Sequence, residues 1–162
     1  MHYLNNTGRI SNHMPCYANS PRVTCPSSDY GPNPFVLNIS QAAKQNQMFR
    51  IVLWTGCYMQ LTLMSIPVCG EIGLEIHPYL DQFIRIEAGR GRVEMGEHQH
   101  NLHFQKNLCE DYAFIIPAGT WHNLINTGNE PLKLYSIYAP PQHPRGAVHR
   151  TKADADEQER NH

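Results

Sequence analysis

The chain has 162 residues, 41% hydrophobic and 17% charged, which suits one globular domain with a real core. Thirteen Lys and Arg against fourteen Asp and Glu leave a net charge of -1, so there is no basic excess to draw nucleic acid or anionic lipid, and neither is expected as a partner. No apolar run approaches the ~20 residues of a membrane span, and the polar start MHYLNNTGRISNH lacks a signal-peptide pattern, which sets the expectation of a cytoplasmic protein.

Residues 1–34 carry Pro15, Pro21, Pro26, Pro32 and Pro34 among many Asn and Ser, without periodicity, and read as an extended or disordered arm. Five Cys, an odd number with no CxxC, favour reduced thiols, although Cys16 and Cys25 in the arm leave room for a bridge. Ser40 is placed to cap a short helix over Gln41 to Asn46. A β-rich body over 35–140 follows, with strands expected at Phe49–Trp54, Tyr58–Ile66, Ile72–His77, Gln82–Glu87, Arg92–Met95, His100–Gln105, Tyr112–Ile116, His122–Ile125 and Leu132–Tyr138. Turn residues at Thr55-Gly56, Gly89 to Gly91, Gly96, Ala118-Gly119 and Thr127 to Asn129 separate them, a spacing that fits a sandwich or barrel. Residues 141–162 form a polar extension, and its end ADADEQERNH reads as frayed or as a short exposed helix.

The stretch Gly70 to Gly91, GEIGLEIHPYLDQFIRIEAGRG, holds the densest chemistry. Side chains alternate along a strand, so Glu75 and His77 project to one side and Leu74 and Ile76 to the other. Pro78 to Asp81 make a reversal, after which Gln82 opens a neighbouring strand facing Glu75 and His77. His122, in PAGTWHN, is a fourth donor. A lone His in a β-protein is usually structural, and it is the match of these four candidates to the two family motifs described next that implies one divalent metal ion, with zinc, iron, nickel and manganese all compatible with mixed imidazole and oxygen ligands.

These motifs resemble those of the cupins. In that family's first motif a Gly precedes H-x-H, then a Glu, then a Gly; here His77, Gln82 and Gly89 fit its second half, and Pro117, Gly119, His122 and Asn126 fit the second motif. The departures are Glu75 in place of the first His, Gln82 in place of Glu, Gly70 one residue too close, and Asp111 in place of the second motif's leading Gly. The resemblance implies an all-β double-stranded β-helix, or jelly-roll barrel, with metal ligands Glu75, His77, Gln82 and His122 and a tendency to form homodimers. DQFIRIEAGRG, PAGTWHNLINTG and LYSIYAPPQHPRG look like the small bacterial cupins labelled mannose-6-phosphate isomerase-like. Related zinc isomerases use a Gln, a Glu and two His, but with Gln and Glu exchanged in order.

Around the expected pocket, Tyr79, Tyr112, Trp54 and Trp121 are candidates to line the mouth and bind substrate, or equally to be plain core. Arg85 reads as an outward salt-bridging residue, Asp81 as a turn residue, His98, His100 and His103 as a hairpin tip, and Cys69 as a small buried hydrophobe. His143 and His149, on a Pro-rich extended segment, could fold over the pocket as a lid, cover a sheet edge or join a dimer. No cluster of Lys or Arg is expected inside. The function expected is a metal-dependent, isomerase-like enzyme acting on a small polar ligand such as a sugar. The alternatives are an iron-dependent oxygenase, or a binding or structural module without catalysis.

Overall fold

The computed structural model describes residues 29–160, so Cys16, Cys25 and most of the expected arm lie outside the described residues. Helix α1 (Ile39–Gln45) leads into strands β1 (Arg50–Thr55), β2 (Gln60–Ile66), β3 (Asp81–Ala88), β4 (Arg90–Gly96), β5 (Phe104–Cys109), β6 (Ala113–Ile116), β7 (Trp121–Asn126), β8 (Leu132–Ala139) and β9 (Val148–His149), and helix α2 (Lys152–Arg160) follows. The strands form a six-stranded sheet, β6-β3-β8-β2-β1-β9, and a three-stranded sheet, β5-β4-β7, with every pairing antiparallel.

Alternation sorts each strand into two faces. Met64, Ile66, Ile84, Ile86, Leu132 and Leu134 of the large sheet pack with Val93, Met95 and Leu124 of the small one, which makes the core between the sheets. The opposite face of the large sheet carries Ile51, Leu53, Leu61 and Leu63, which are covered by Ala42 and Ala43 of α1 and by Phe35 and Leu37. Because Ile51 and Leu53 face α1, Arg50 faces inward. The inward faces of β2, β3 and β8 then change character along their length, from Met64, Ile84 and Leu134 to Gln60, Thr62, Gln82, Ser136 and Tyr138, all buried. One end of the barrel interior is therefore apolar and the other polar.

Several local expectations are corrected. Helix α1 is capped by Asn38, whose Oδ1 accepts from the Gln41 N–H at 3.0 Å, and it starts before Ser40. The segment Ile72–His77 is not a regular strand: Gly73 has φ +96°, and only isolated bridges pair Glu71 with Ile125 and Glu75 with His122. The expected strand His100–Gln105 sits later, at β5, whose residues are mostly exposed and so lack the burial alternation that fixes a register. Cys69 is exposed at φ 61° in the Pro67 to Gly70 turn and is not buried. Asp29 to Asn33 lie against β1: Asp29 accepts from the Thr55 N–H at 2.9 Å, and the Trp54 indole donates to the Asn33 carbonyl at 2.8 Å. Trp54 thus belongs to the outer side of the barrel. At the β3–β4 turn, Gly89 adopts φ +89°, a conformation that favours glycine.

Two elements close the ends. Asn126, the last residue of the second motif, is 3% exposed; it donates to the Ile66, Pro67 and Glu130 carbonyls and accepts from the Gly128 N–H at 2.9 Å. Helix α2 opens with Thr151 and Asp154 bonding each other's backbone N–H groups at 3.3 and 3.0 Å, and it places Ala155 against the core.

Replacing Asn126 with Ala strands these backbone groups, and urea unfolding is expected to show a loss of about 1–3 kcal/mol. The Thr151 backbone N–H, helped by that of Arg150, holds the Asp154 carboxyl below its ordinary 3.8. A depressed carboxylate contributes stability that is present above the unfolded pKa and lost as pH falls through the folded one. The protection of α2 amides, relative to their intrinsic exchange rate at each pH, is expected to fall as pH drops below 3.8, and Asp154→Asn is expected to remove that pH dependence.

Candidate metal centre

The polar end brings three donors together. Glu75 arrives on the irregular segment after Gly73 and is fixed by a reciprocal backbone pair with His122, N–H to carbonyl at 3.0 and 2.9 Å. His77 follows two residues later, and its carbonyl accepts from the Gly119 N–H at 2.8 Å, which ties the two motifs together. The ligand atoms of Glu75, His77 and His122 all lie within 4.8 Å of one another. Glu75 Oε1 is 3.2 Å from His122 Nε2 and 3.4 Å from His77 Nε2.

His122 Nδ1 is 2.9 Å from the Thr120 carbonyl oxygen, which can only accept, so the hydrogen-bond network assigns a proton to Nδ1. Nε2 then faces the Glu75 carboxylate as a second acceptor, and His77 Nε2 is buried without a hydrogen-bond partner among the described residues. Acceptors aimed at one point need a shared proton or a cation between them. That donor set, two imidazoles and a carboxylate with one His oriented by a backbone carbonyl, fits a divalent metal ion. Burial alone would raise the Glu75 carboxyl, but contacts from His122 and His77, with Arg50 adding to them, hold it well below the usual carboxylate range. Glu75 is therefore ionised.

Gln82 is 2% exposed; its Nε2 donates to Ser136 Oγ at 2.9 Å, and its Oε1 has no partner among the described residues. Gln82 pairs with Tyr138 across β3 and β8, and the Tyr138 ring meets His77 edge-on at 5.8 Å. Gln82 therefore adds an unsatisfied oxygen to the same polar end. Burial pushes the Tyr138 phenol up to about 12, with Arg50 opposing, so this hydroxyl keeps its proton. Burial, with Arg50 acting in the same direction, brings His143 down to about 3.

The aromatic candidates separate. Tyr79 is 89% exposed on the Pro78 to Leu80 reversal, where Leu80 takes the buried place. Tyr112 sits beside Ile86, whose N–H donates to its carbonyl, at the apolar end of β3 away from Gln82. Trp121 precedes His122 in β7 and so points to the other face. None of the three reaches the donors. Arg85 pairs outward with Glu87 and with Asp111, the latter at 2.7 Å. Asp81 accepts from the Ala118 N–H at 2.9 Å. His98, His100 and His103 are exposed around the His98–Asn101 bridge.

His143 and His149 lie beside this end. Gln60 holds the connecting segment, donating to the His143 carbonyl at 2.9 Å and accepting from its N–H at 2.9 Å. The His143 ring meets Tyr138 at 4.9 Å and His149 at 6.4 Å. His149 pairs with Arg50 across β9 and β1, so the segment covers a sheet edge. Arg50 itself was not anticipated. It is 2% exposed and inward-facing, a single buried cation in an interior where no cluster of Lys or Arg is expected. The available signal was the strand alternation of RIVLWT, in which Arg50 opposes Ile51 and Leu53.

Fold and donor set together define a cupin, and the chain belongs to the cupin superfamily: the Cupin domain family matches residues 62–138. The chain is 65% identical over 127 residues to the uncharacterized protein YrkC of Bacillus subtilis strain 168, covering 78% of this chain and 68% of that one. It is 41% identical over 115 residues to the uncharacterized protein L612 of Acanthamoeba polyphaga mimivirus, with 70% of each covered. The crystal structure of BH2720 from Bacillus halodurans superposes with a TM-score of 0.80 at 65% identity, covering 80% of this chain and 98% of that one.

Ser136→Ala leaves the buried Gln82 amide without its acceptor. Urea unfolding is expected to register a loss of about 1–3 kcal/mol, whereas an unchanged midpoint would mean that the amide finds another partner.

Proposed function

We propose that the chain is a metal-dependent enzyme, isomerase-like in its chemistry, acting on a small polar molecule such as a sugar. The observation that carries this reading is the convergence of Glu75 Oε1, His77 Nε2 and His122 Nε2 in a largely buried, polar end of the barrel. Gln82 Oε1, buried and unpartnered, is the fourth donor in this reading. Glu75 and His77 keep 15% and 9% side-chain exposure while His122 is sealed, which suits a centre that admits a ligand from one side. The likeness of DQFIRIEAGRG and PAGTWHNLINTG to the isomerase-labelled cupins supports the isomerase-like part.

A divalent ion held by these residues supplies Lewis-acid polarisation of a carbonyl or hydroxyl. The remaining work falls to the chain. Tyr138, protonated throughout the physiological range, donates a hydrogen bond to a substrate oxygen. Thr62 Oγ1, buried and without a partner among the described residues, gives a hydroxyl to bind and orient a polyol. His143 is uncharged and presents an unpartnered Nε2 to which a substrate hydroxyl donates. Glu75, as a ligand, holds its negative charge at the centre and is not available to carry the proton.

Elemental analysis of untagged protein, purified without added metal, is expected to find about one divalent ion per chain. The His77→Ala, His122→Ala double variant, folded by circular dichroism, is expected to contain none. Zinc or manganese agrees with isomerase-like chemistry, and iron with oxygen consumption redirects it to oxygenation. Metal-free protein that takes up no added divalent ion contradicts the reading.

A further inference from the structure

Arg50 has no role in holding the metal, yet it is among the most deeply buried side chains of the chain. Its Nε and one Nη have no hydrogen-bond partner among the described residues. Among the described residues, the carboxylate within 4.0 Å of it is that of Glu159, on α2, at 3.6 Å, and the Glu159 side chain is 54% exposed. His143 Nε2, His149 Nδ1 and Thr62 Oγ1 are buried and unpartnered in the same polar end. Next to them a cavity of about 160 Å³ is lined by Gln142, His143, Pro144, His149, Gln158 and Glu159.

Water could satisfy these polar groups, but it would not compensate the charge of Arg50. A divalent ion with one carboxylate ligand would keep a single positive charge, and Arg50 adds another, so the loaded interior would have an excess of positive charge facing one half-exposed carboxylate at 3.6 Å from Arg50. The rings run in a continuous line from His122 to His77 at 5.3 Å, to Tyr138 at 5.8 Å, to His143 at 4.9 Å and to His149 at 6.4 Å, and His149 is the strand partner of Arg50.

We propose that Arg50 is an anion receptor, and that the molecule acted on at the metal centre is a small carboxylate whose carboxyl group takes the place on Arg50 now held by Glu159. The guanidinium offers Nε and Nη as a fork matched to the two oxygens of a carboxylate. Glu159 is the internal stand-in: a carboxylate on the last turn of a terminal helix, close enough to occupy the site and exposed enough to leave it. The substrate class is thereby narrowed from any small polar molecule to a small carboxylic acid that also presents an oxygen to the metal. This inference rests on the metal-centre reading for its second anchor and on Arg50 alone for its first.

The test is titration calorimetry at constant ionic strength with glycolate and malonate, with glycolamide as the neutral control and inorganic phosphate as the competing anion. Glycolate or malonate is expected to bind and glycolamide not. Arg50→Gln is expected to weaken carboxylate binding by about thirtyfold or more while leaving the metal content of the chain unchanged. Glu159→Gln, its fold checked by circular dichroism because it leaves the Arg50 charge without its carboxylate, is expected to tighten binding severalfold by removing the competing carboxylate. If Arg50→Gln fails to fold, Glu159→Gln decides. Carboxylate binding that is absent, or indifferent to Arg50 and Glu159, overturns the proposal, and an Arg50-dependent preference for phosphate overturns the carboxylate class. Arg50-dependent binding that persists in a chain without metal leaves the receptor standing and removes only the metal-centre reading.

Discussion

Glu75 Oε1 lies 3.2 Å from His122 Nε2 and 3.4 Å from His77 Nε2 in a space largely shut off from water, so a shared proton or a cation has to sit among them. Such an arrangement is repulsive unless something positive occupies the middle. The rest of the polar end is built to keep it in place. The backbone pair between Glu75 and His122 fixes the spacing, the Thr120 carbonyl fixes the imidazole tautomer of His122, and the Gly119 N–H holds His77 from the other motif. A few tenths of an ångström lost at any of these would separate donors that the sequence places 47 residues apart.

The polar end is affordable because the other end carries the stability. Met64, Ile66, Ile84, Ile86, Leu124, Leu132 and Leu134 are at most 2% exposed between the sheets, and each contributes on the order of 1.5–3 kcal/mol by leaving water. A second apolar layer, outside the large sheet under α1, stiffens the same strands from behind. With both faces packed, β1, β2, β3 and β8 hold Arg50, Gln60, Thr62, Gln82, Ser136 and Tyr138 buried without losing their register. Gln60 uses both ends of its amide to fasten the segment that carries His143, so the wall of the polar end and its cover are one hydrogen-bonded unit.

Much of this is legible in the sequence where the pattern is local. Glu75 and His77 are two residues apart, Gln82 follows a Pro-led reversal, and His122 sits in a Pro-Gly turn motif, so each direction is set by its neighbours. What is not legible depends on contacts made from far away. Which face of β1 turns inward, and with it the place of Arg50, is set by the covering of Ile51 and Leu53 by α1. Tyr79 and Tyr112 look like pocket aromatics by proximity in sequence, yet one lies on an exposed reversal and the other at the apolar end of the sheet. The start of β5 is not legible because an exposed edge strand has no alternation to read, and the exposure of Cys69 is not legible because its turn depends on a positive φ. Helix α2 offers little apolar pattern, since its packing against the core comes down to Ala155.

X-ray absorption at the edge of the bound metal tests the central claim most directly, because it reports the ligand atoms themselves. The expected spectrum has imidazole scattering from two His and light-atom first-shell distances near 2.0–2.2 Å, the range for nitrogen and carboxylate oxygen ligands of zinc, and both signals disappear in the His77→Ala, His122→Ala variant. A first shell containing sulfur would contradict it, since Cys57, Cys69 and Cys109 are all exposed, as would a shell of water oxygens with no imidazole contribution.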